Sequence, residues 1–308
     1  MKCPFQGSLV ALPTPFRHYE IDFPALHHLI EWHVEKKSDG IVIAGTSGEA
    51  STLSDYERRS LIHAAVEYSH RRIPVIAGIG TNNTRQSVDF ARFAADAHAD
   101  GLLAVAPYYN KPTPQGLIAH YGAIAEASQL PLILYNVPSR TCTDLRPETI
   151  AEIRQRFPSA VAVKEASGSM GRARQIKEVS DIALIAGEDS LIAEFMGLGA
   201  VGVIGVVANI APAQVAELCR VARPGGNAVR AAELAAWLQP LVRDLFIETS
   251  PTPMKTALAA MKLCGAEVRL PLVAMECEHR EQLLASLHEA NLLRAEQASP
   301  IDKHVRSS

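Results

Sequence analysis

The chain has 308 residues, of which 48% are hydrophobic and 20% are charged, with a formal net charge of −3 at pH 7. A globular protein of this size is expected to bury roughly three quarters of its unfolded surface in one large core. The near balance of 30 basic and 33 acidic residues argues against nucleic-acid binding. No apolar run approaches the roughly 18 residues of a membrane-spanning helix.

Eight short apolar runs alternate with longer amphipathic stretches along the first three quarters of the chain. The near-continuous apolar character of these runs predicts parallel strands that are covered on both faces. The predicted strands are Ser8–Pro15, Gly40–Gly45, Ile73–Gly80, Gly101–Pro107, Pro131–Val137, Ala160–Ala166, Ile182–Gly187 and Gly202–Ala208.

The stretches between the strands repeat apolar residues at i, i+3 and i+4, which is typical of helices that cover a sheet. The predicted helices are Pro24–Lys37, Asp55–His70, Thr84–Ala99, Gln115–Ser128, Arg146–Phe157, Met170–Val179, Ser190–Leu198 and Ala213–Val221. Eight such units predict an α/β protein, a closed (β/α)8 TIM barrel over residues 1–224.

Gly225 and Gly226 mark a break after the predicted barrel. Residues 225–296 contain three more helical patterns and predict a C-terminal helical extension, with helices at Ala228–Phe246, Pro253–Leu263 and His279–Asn291. Residues 297–308 lack apolar periodicity and predict a flexible tail.

Five scattered cysteines without a CxxC motif argue against a disulfide framework and favour a reducing compartment. The histidines lack HxxxH and HExxH spacing, so no metal is expected. Gly197–Gly202 matches GxGxxG but follows a helix and precedes a strand, the reverse of a dinucleotide-binding site. No signal peptide pattern is visible. These patterns predict a cytoplasmic protein, with an organellar protein that has lost a targeting segment as the alternative.

In a barrel of this class, functional residues lie at the carboxyl ends of the strands. At the end of the sixth strand, Lys164 interrupts an apolar run. An ammonium group is costly to bury, and a lysine whose charged form is destabilised is a good nucleophile toward carbonyl carbons. A salt bridge is the alternative, but Glu165 faces the other side of the strand. Lys164 is therefore the predicted nucleophile.

Polar residues also follow three other strands. Gly45–Glu49 offers hydroxyls and backbone N–H groups suited to a carboxylate or phosphate, although an ordinary turn looks similar. Tyr108 and Tyr109 follow the fourth strand, where packing under a loop is the alternative. Tyr135 can carry a proton, and Arg140 can bind a carboxylate, although a loop arginine is often simply solvated.

Four motifs, occurring in this order, resemble the dihydrodipicolinate synthase (4-hydroxy-tetrahydrodipicolinate synthase) family within the N-acetylneuraminate lyase superfamily. They are Gly45–Glu49, the Tyr-Tyr-Asn-Lys-Pro run from Tyr108, Tyr135–Thr141 and Val163–Ala166. The resemblance implies a Schiff-base lyase that condenses pyruvate with aspartate 4-semialdehyde in lysine and diaminopimelate biosynthesis. It implies neither a metal nor an organic cofactor.

The resemblance also implies individual roles. Lys164 forms the imine with pyruvate, and Tyr135 is its general acid/base. Thr46 links Tyr135 to Tyr109 in a proton relay, and Tyr109 reaches into the neighbouring subunit of a homotetramer built as a dimer of dimers. The remaining implied substrate contacts are Thr46 and Ser47 to the pyruvate carboxylate, Arg140 to the second substrate, and Gly187 and Ile204 in the pocket lining.

The sequence departs from the family pattern at several positions. Ser47, Cys142 and Gly205 stand where threonine, glycine and serine are frequent. The family's lysine-inhibition site keeps its asparagine and tyrosine here, but four other positions differ from strongly inhibited members: Ser51, Asp55, Arg58 and Gln86. These differences predict weak or absent inhibition by lysine.

Two other functions stay open at this point. An aldolase or dehydratase of the same superfamily, acting on a sugar acid or another 2-oxo acid, shares Lys164, Tyr135 and Thr46. Arg140 and Tyr109 favour the synthase. A non-catalytic barrel that binds a 2-oxo acid is the second alternative, although binding alone needs no nucleophile.

Overall fold

The computed structural model describes residues 2–293, whose eight parallel strands close into a barrel. The strands are β1 Gly7–Ala11, β2 Gly40–Ile43, β3 Val75–Gly78, β4 Gly101–Val105, β5 Leu132–Asn136, β6 Ala160–Glu165, β7 Ala183–Ala186 and β8 Gly202–Gly205. The ring closes where β1 pairs with β8, from Gly7 opposite Gly202 to Val10 opposite Gly205. The predicted TIM barrel is confirmed.

Helices surround the barrel, one after each strand, and three more follow it. They are α1 Phe23–Glu35, α2 Asp55–Ser69, α3 Thr84–Asp96, α4 Pro114–Ala127, α5 Pro147–Arg156, α6 Met170–Val179, α7 Ile192–Gly197, α8 Pro212–Val221, α9 Ala228–Leu245, α10 Thr252–Ala260 and α11 Cys277–Glu289. No helix among the described residues is long and apolar enough to cross a membrane.

Side-chain alternation along the strands separates two apolar clusters. One cluster fills the barrel and includes Leu9, Val42, Ile76 and Ile133. The other lies between the strands and the helices, where residues such as Ile41 contact the helical layer. Strands buried on both faces explain why the runs read as almost entirely apolar.

Helix starts follow the capping chemistry of the sequence. Ser54 accepts a hydrogen bond from the Glu57 N–H, and the Glu57 carboxylate accepts one from the Ser54 N–H, which is the predicted capping box. Asp22 caps α1, because its carboxylate accepts the Ala25 N–H at 3.1 Å. The first strand ends at Ala11, before the prolines that follow it.

A small hairpin and a helical turn are among the short elements that were not predicted. Phe16–Arg17 and Glu20–Ile21 form a small hairpin, and Pro138–Thr141 forms one helical turn after β5. The hairpin turn uses His18 and Tyr19 with positive φ, at positions where glycine or asparagine is usual. Bulky turn residues gave no sequence signal for this hairpin.

The C-terminal helices pack directly on the barrel. Leu234, Leu238, Leu241 and Leu245 of α9 are buried in the same apolar cluster as the outer strand residues. The division at residue 224 therefore separates two segments that share one core. The predicted tail 297–308, and residues 294–296 of the predicted extension, lie outside the described residues.

Candidate active site

Lys164 and Tyr135 are neighbours at the carboxyl ends of β6 and β5. Their Cα positions are paired in the parallel register. The Lys164 Nζ lies 4.2 Å from the centroid of the Tyr135 ring. Both side chains are almost covered, at 7% and 6% exposure. The barrel thus places an amine against an aromatic ring that carries a titratable hydroxyl.

A cavity of about 330 Å³ opens beside this pair. Thr46, Tyr135 and Arg140 all line the cavity, so these three predicted site residues are brought together. Lys164 does not line the cavity itself, but its Nζ contacts the ring of Tyr135, and Tyr135 does line it. The C-terminal extension closes the same cavity through Thr249, Ser250, Pro251, Pro271 and Leu272.

The loop after β2 presents backbone donors to the cavity mouth. Thr46 is exposed and Ser47 is buried. Among the described residues, neither backbone N–H donates to another backbone carbonyl, whereas the following N–H groups close tight turns onto Gly45 and Thr46. The Thr14 hydroxyl fixes this loop by donating to the Gly48 carbonyl at 2.6 Å. Free N–H groups of this kind can bind a carboxylate.

Arg140 lies in the short helix after β5, and its exposed guanidinium borders the cavity. Its Nη2 donates a long hydrogen bond of 3.5 Å to the Ser250 carbonyl. Cys142 ends this helix in the left-handed conformation, with φ of 54°. That conformation favours glycine, so the cysteine is held there under strain without unwinding the turn that carries Arg140.

Tyr109 does not reach this site within one chain. Its side chain is 88% exposed, and it does not line the cavity, whereas Tyr108 does. Among the described residues, Thr46 makes no side-chain hydrogen bond to Tyr135 or Tyr109. The relay implied by the family resemblance is therefore not assembled by a single chain.

Gly187 and Ile204 also lie outside the cavity lining. Gly187 follows β7 and donates its N–H to the Glu165 carbonyl at 2.8 Å. Ile204 belongs to the apolar cluster inside the barrel. Both residues occupy the strand-end layer that contains Lys164, but the main cavity does not reach them.

Two carboxyl groups after β7 were missed in the sequence. Asp189 is buried, and its Oδ2 accepts the N–H groups of Val206 at 2.8 Å and Val207 at 3.3 Å. Burial raises the pKa of Asp189 to about 6, although these two hydrogen bonds and the charge of Lys164 act against the rise. Burial also raises the pKa of Glu188, and the charge of Asp189 adds to it. The strand-end rule points to this segment of the chain, but the burial of Asp189 depends on the distant Val206 and Val207 N–H groups and leaves no local sequence signal.

A buried ion pair behind the β2 loop was missed as well. The Lys255 Nζ lies 2.5 Å from Glu49 Oε1, and both side chains are almost completely covered. Glu49 Oε2 accepts the Arg269 N–H at 3.0 Å. Lys255 interrupts an apolar helix much as Lys164 interrupts an apolar strand, and this signal was available in the sequence. The pair connects α10 to the loop that carries Thr46.

Among residues 2–293, no group of three or more histidine, cysteine, aspartate or glutamate side chains could hold a metal ion. The site itself brings together a lysine amine, a tyrosine hydroxyl, backbone donors and an arginine. This set can bind a carboxylate and attack a carbonyl carbon.

Fold and site together define the class, an enzyme barrel with its chemistry at the carboxyl ends of the strands. The chain belongs to the dihydrodipicolinate synthetase family, whose model matches residues 4–290. This confirms the family that the motifs indicated.

Named relatives cover almost the whole chain. The 4-hydroxy-tetrahydrodipicolinate synthase of Persephonella marina is 44% identical over 293 residues, which is 94% of this chain and 100% of that protein. The synthase of Nitratidesulfovibrio vulgaris is 42% identical over 291 residues, with 94% and 99% coverage.

Solved structures agree with the fold. The dihydrodipicolinate synthase of Aquifex aeolicus has a TM-score of 0.92 at 42% identity and covers 94% of this chain and 99% of that one. A chloride-inhibited synthase of Acinetobacter baumannii, solved in complex with pyruvate, has a TM-score of 0.90 at 42% identity, with 94% and 100% coverage.

Proposed function

We propose that this chain is a Schiff-base lyase that condenses pyruvate with aspartate 4-semialdehyde to 4-hydroxy-tetrahydrodipicolinate, a step of lysine and diaminopimelate biosynthesis. The observation that carries the proposal is the pairing of Lys164 and Tyr135 at adjacent strand ends, 4.2 Å from Nζ to ring centroid. Thr46 and Arg140 border the cavity on which Tyr135 opens. The family and its named relatives support the same reaction.

The first half of the reaction forms an imine. The Lys164 amine attacks the C2 carbonyl carbon of pyruvate, a C–N bond forms, and the carbonyl oxygen leaves as water. Tyr135 carries protons between the amine and the departing oxygen. The free N–H groups and hydroxyls of Thr46 and Ser47 bind the pyruvate carboxylate. Gly187 and Ile204 line the inner end of the pocket, in the strand-end layer of Lys164 that lies beyond the main cavity.

The second half uses the imine as an electron sink. A methyl proton leaves, and the resulting enamine carbon attacks the aldehyde carbon of the second substrate to form a C–C bond. The amine of that substrate then attacks the imine carbon, closes the ring and displaces Lys164. One water is released overall, and no oxidant or reductant is needed. Arg140 binds the carboxylate of the second substrate as a planar fork.

The proposal includes a subunit assembly and a cellular location for the protein. Tyr109 acts in a neighbouring subunit of a homotetramer, because its side chain is exposed and does not line the cavity of its own chain. The five cysteines are all unpaired, which suits the reducing conditions of the cytoplasm.

The test is intact mass after borohydride reduction in the presence of pyruvate. The wild-type chain gains the mass of one reduced pyruvate adduct, and Lys164→Ala gains none. Lys111→Ala is the matched control, since this lysine also follows a barrel strand but is exposed. An adduct that persists in Lys164→Ala, or a wild type that forms no adduct, contradicts the mechanism.

The second substrate is tested by turnover. Arg140→Ala should raise the KM for aspartate 4-semialdehyde by about 10-fold or more, because a charge-assisted bidentate contact is lost. The rate of pyruvate adduct formation should stay unchanged. Cleavage of a 2-oxo sugar acid, without turnover of the semialdehyde, would instead identify an aldolase or dehydratase of the superfamily.

A further inference from the structure

Next to the two proposed catalytic residues lies a second cross-strand pair, Asn136 and Glu165. Both are fully buried, with 0% exposure. They are aligned in the register one step beyond Tyr135 and Lys164. Successive strand side chains point to opposite faces, so the second pair faces the helices while the first faces the barrel interior.

The two side chains are joined by a hydrogen bond with a defined direction. Asn136 Nδ2 donates to Glu165 Oε2 at 3.0 Å. The Leu145 N–H donates to Asn136 Oδ1 at 3.0 Å, and this fixes which end of the amide faces Glu165. The Ser167 N–H donates to Glu165 Oε1 at 2.7 Å. Each oxygen and the amide nitrogen of the pair therefore has a partner.

An outer layer extends this network into the loops after both strands. Asn136 Nδ2 also donates to Asp144 Oδ1 at 3.2 Å. Arg172, in the first turn of α6, pairs with the Asp144 carboxylate and donates to the Leu145 carbonyl at 3.1 Å. The network thus ties the ends of β5 and β6 to the loop that carries Arg140.

A contribution to stability does not by itself explain why the Glu165 carboxylate is buried at this position. Burial raises the pKa of Glu165, with the hydrogen bonds from Ser167 and Asn136 acting against the rise. Apolar residues of similar volume are often neutral or stabilising in place of such buried polar groups. A fully satisfied buried network instead specifies one arrangement of the elements that it joins.

We propose that Asn136 and Glu165 are positioning residues, which lock the ends of β5 and β6 so that Lys164 and Tyr135 meet in the geometry for imine formation. They act through the backbone of their strand neighbours and do not touch the substrate. The inference rests on the proposed imine at Lys164.

The direction of the hydrogen bond allows a swap of polarity. Glu165→Gln keeps an oxygen for the Ser167 N–H but turns an amide nitrogen toward Asn136 Nδ2, so two donors face each other. Asn136→Asp keeps an oxygen for the Leu145 N–H but sets two carboxylates face to face. The double variant Asn136→Asp/Glu165→Gln is made on an Asp144→Asn background and restores one donor and one acceptor in reverse order. Without that background, the new carboxylate at position 136 would face the Asp144 carboxylate, whose Oδ1 lies 3.2 Å from Asn136 Nδ2.

The measurement is the rate of borohydride-trapped adduct formation at saturating pyruvate, together with the KM for pyruvate and the thermal midpoint. Each single variant should react about 10-fold or more slowly, because small displacements of reacting groups are costly. The KM should change little, since the carboxylate is held by the separate β2 loop. The double variant should recover to within about 3-fold of the wild-type rate, as a rebuilt hydrogen bond restores the geometry.

Ser286→Ala is the matched control. Its Oγ donates to the buried Asp244 carboxylate at 2.5 Å, between α11 and α9 and outside the barrel. This variant should lose thermal stability without slowing adduct formation, which separates a positioning effect from general destabilisation.

Several outcomes decide the question. Folded single variants that react at the wild-type rate overturn the inference, and so does a folded double variant that reacts no faster than the singles. If the single variants do not fold, a folded double variant with the wild-type rate supports the inference and a slow one overturns it. A wild type that forms no adduct overturns the proposed function itself, and that result is seen before any variant is compared.

Discussion

Asp189 illustrates how one residue departs from its usual chemistry in this fold. Its Oδ2 accepts two backbone N–H groups, and its buried Oδ1 has no hydrogen-bond partner among the described residues. A Cβ on Gly205 would lie only 2.2 Å from this Oδ1. Gly205, which stands where serine is frequent in the family, therefore leaves the room that the Asp189 carboxyl occupies.

The raised pKa of Asp189 predicts a pH-dependent stability. The folded state holds this proton more tightly than the unfolded state, because burial raises the pKa from 3.8 to about 6. As pH rises from about 3.8 to above about 6, the free energy of unfolding of the wild type should fall by about 3 kcal/mol from the ionisation of this residue alone. Asp189→Asn cannot lose a proton, so its stability relative to wild type should increase by that amount between about pH 3.5 and about pH 7.5.

Urea unfolding at several pH values measures this difference. Asp181→Asn is the control, because a hydrogen bond from Arg154 lowers the pKa of this exposed carboxyl and reverses the expected direction. A difference between wild type and Asp189→Asn that does not change with pH would show that Asp189 titrates normally.

At residue scale, the clearest sequence signal comes from a residue that conflicts with its surroundings. Lys164 stood out because an ammonium group is costly to bury in a strand covered on both faces, and its role as the nucleophile stays a prediction. Asp189 was not recognised because a carboxylate just after a strand usually meets solvent, and its burial depends on the distant Val206 and Val207 N–H groups. Local sequence carries no information about such a partner.

At the scale of the elements, the main feature is the attachment of α10 to the barrel mouth. Lys255 on this helix donates to Glu49 and to the Glu267 carbonyl at 2.8 Å, and its Nζ lies 4.1 Å from the Phe16 ring centroid. Burial lowers the pKa of Lys255, while the Glu49 charge acts against the change. Burying this ion pair carries a large desolvation cost, and the pair fixes the C-terminal extension to the loop that contains Thr46.

Removing one partner of this pair should be costly. Lys255→Met leaves the Glu49 carboxylate buried and unpaired, so the free energy of unfolding should fall by about 3–5 kcal/mol. The double variant Lys255→Met/Glu49→Gln should recover most of this loss, because it removes the buried charge and keeps an oxygen for the Arg269 N–H. Urea denaturation gives both values, and the exposed Lys262→Met in the same segment should stay within about 0.5 kcal/mol of wild type. A single variant as stable as that control would show that the pair is not coupled.

The recovered double variant then tests the role of the connection. If the pair holds the Thr46 loop, the double variant should be stable but bind pyruvate more weakly. A double variant with an unchanged KM for pyruvate would limit the pair to a structural role.

Elements were predictable where their signal is local. Apolar periodicity located every barrel helix, and the Ser54 and Glu57 capping box marked the start of α2. The hairpin at Phe16–Arg17 escaped notice because its turn is stabilised from afar, by Glu267 accepting the N–H groups of His18 and Tyr19. Periodicity also shows which face of α10 is apolar but not where it packs, so the contribution of Ser250 to the cavity could not be foreseen.

At the scale of the whole molecule, the cavity extends from Arg140 to the region that resembles the family's lysine-inhibition site. Arg58 lines that far end. Its guanidinium donates to the Gly78 carbonyl at 2.6 Å and lies 4.4 Å from the Phe90 ring centroid. Burial lowers the pKa of Arg58 to about 10. We expect a fixed arginine at this position to repel the side-chain ammonium group of a lysine ligand.

We expect lysine to leave the activity unchanged at millimolar concentration. Besides the charge of Arg58, the nearby polar groups are already paired, since Gln86 Nε2 donates to Asp55 Oδ1 at 2.8 Å. Titration calorimetry and initial rates with added lysine test this expectation, with Arg58→His as a variant that should gain affinity. Half-maximal inhibition by sub-millimolar lysine would contradict it.

The exposed Tyr109 is the site residue whose proposed role depends most on the assembly of subunits. Its side chain is 88% exposed, and its backbone φ of 73° is unusual for a residue other than glycine. The side chain does not line the cavity of its own chain. An exposed aromatic at the barrel mouth is suited to a subunit interface. If Tyr109 completes the site of a neighbour, each active site takes Lys164 from one chain and Tyr109 from another.

Co-expression of two inactive variants distinguishes the two arrangements. Tyr109→Phe and Lys164→Ala should each be impaired alone, the first by about 10-fold or more for loss of a proton carrier. In a mixed dimer, the site that keeps Lys164 receives an intact Tyr109 from the Lys164→Ala chain, so activity should return at about one site in two. If Tyr109 serves its own chain, no site in the mixed dimer holds both residues, and the rate should not exceed the Tyr109→Phe background. Two tags that isolate the mixed species make the comparison quantitative, and a mixed wild-type and Lys164→Ala dimer gives the reference rate for one working site.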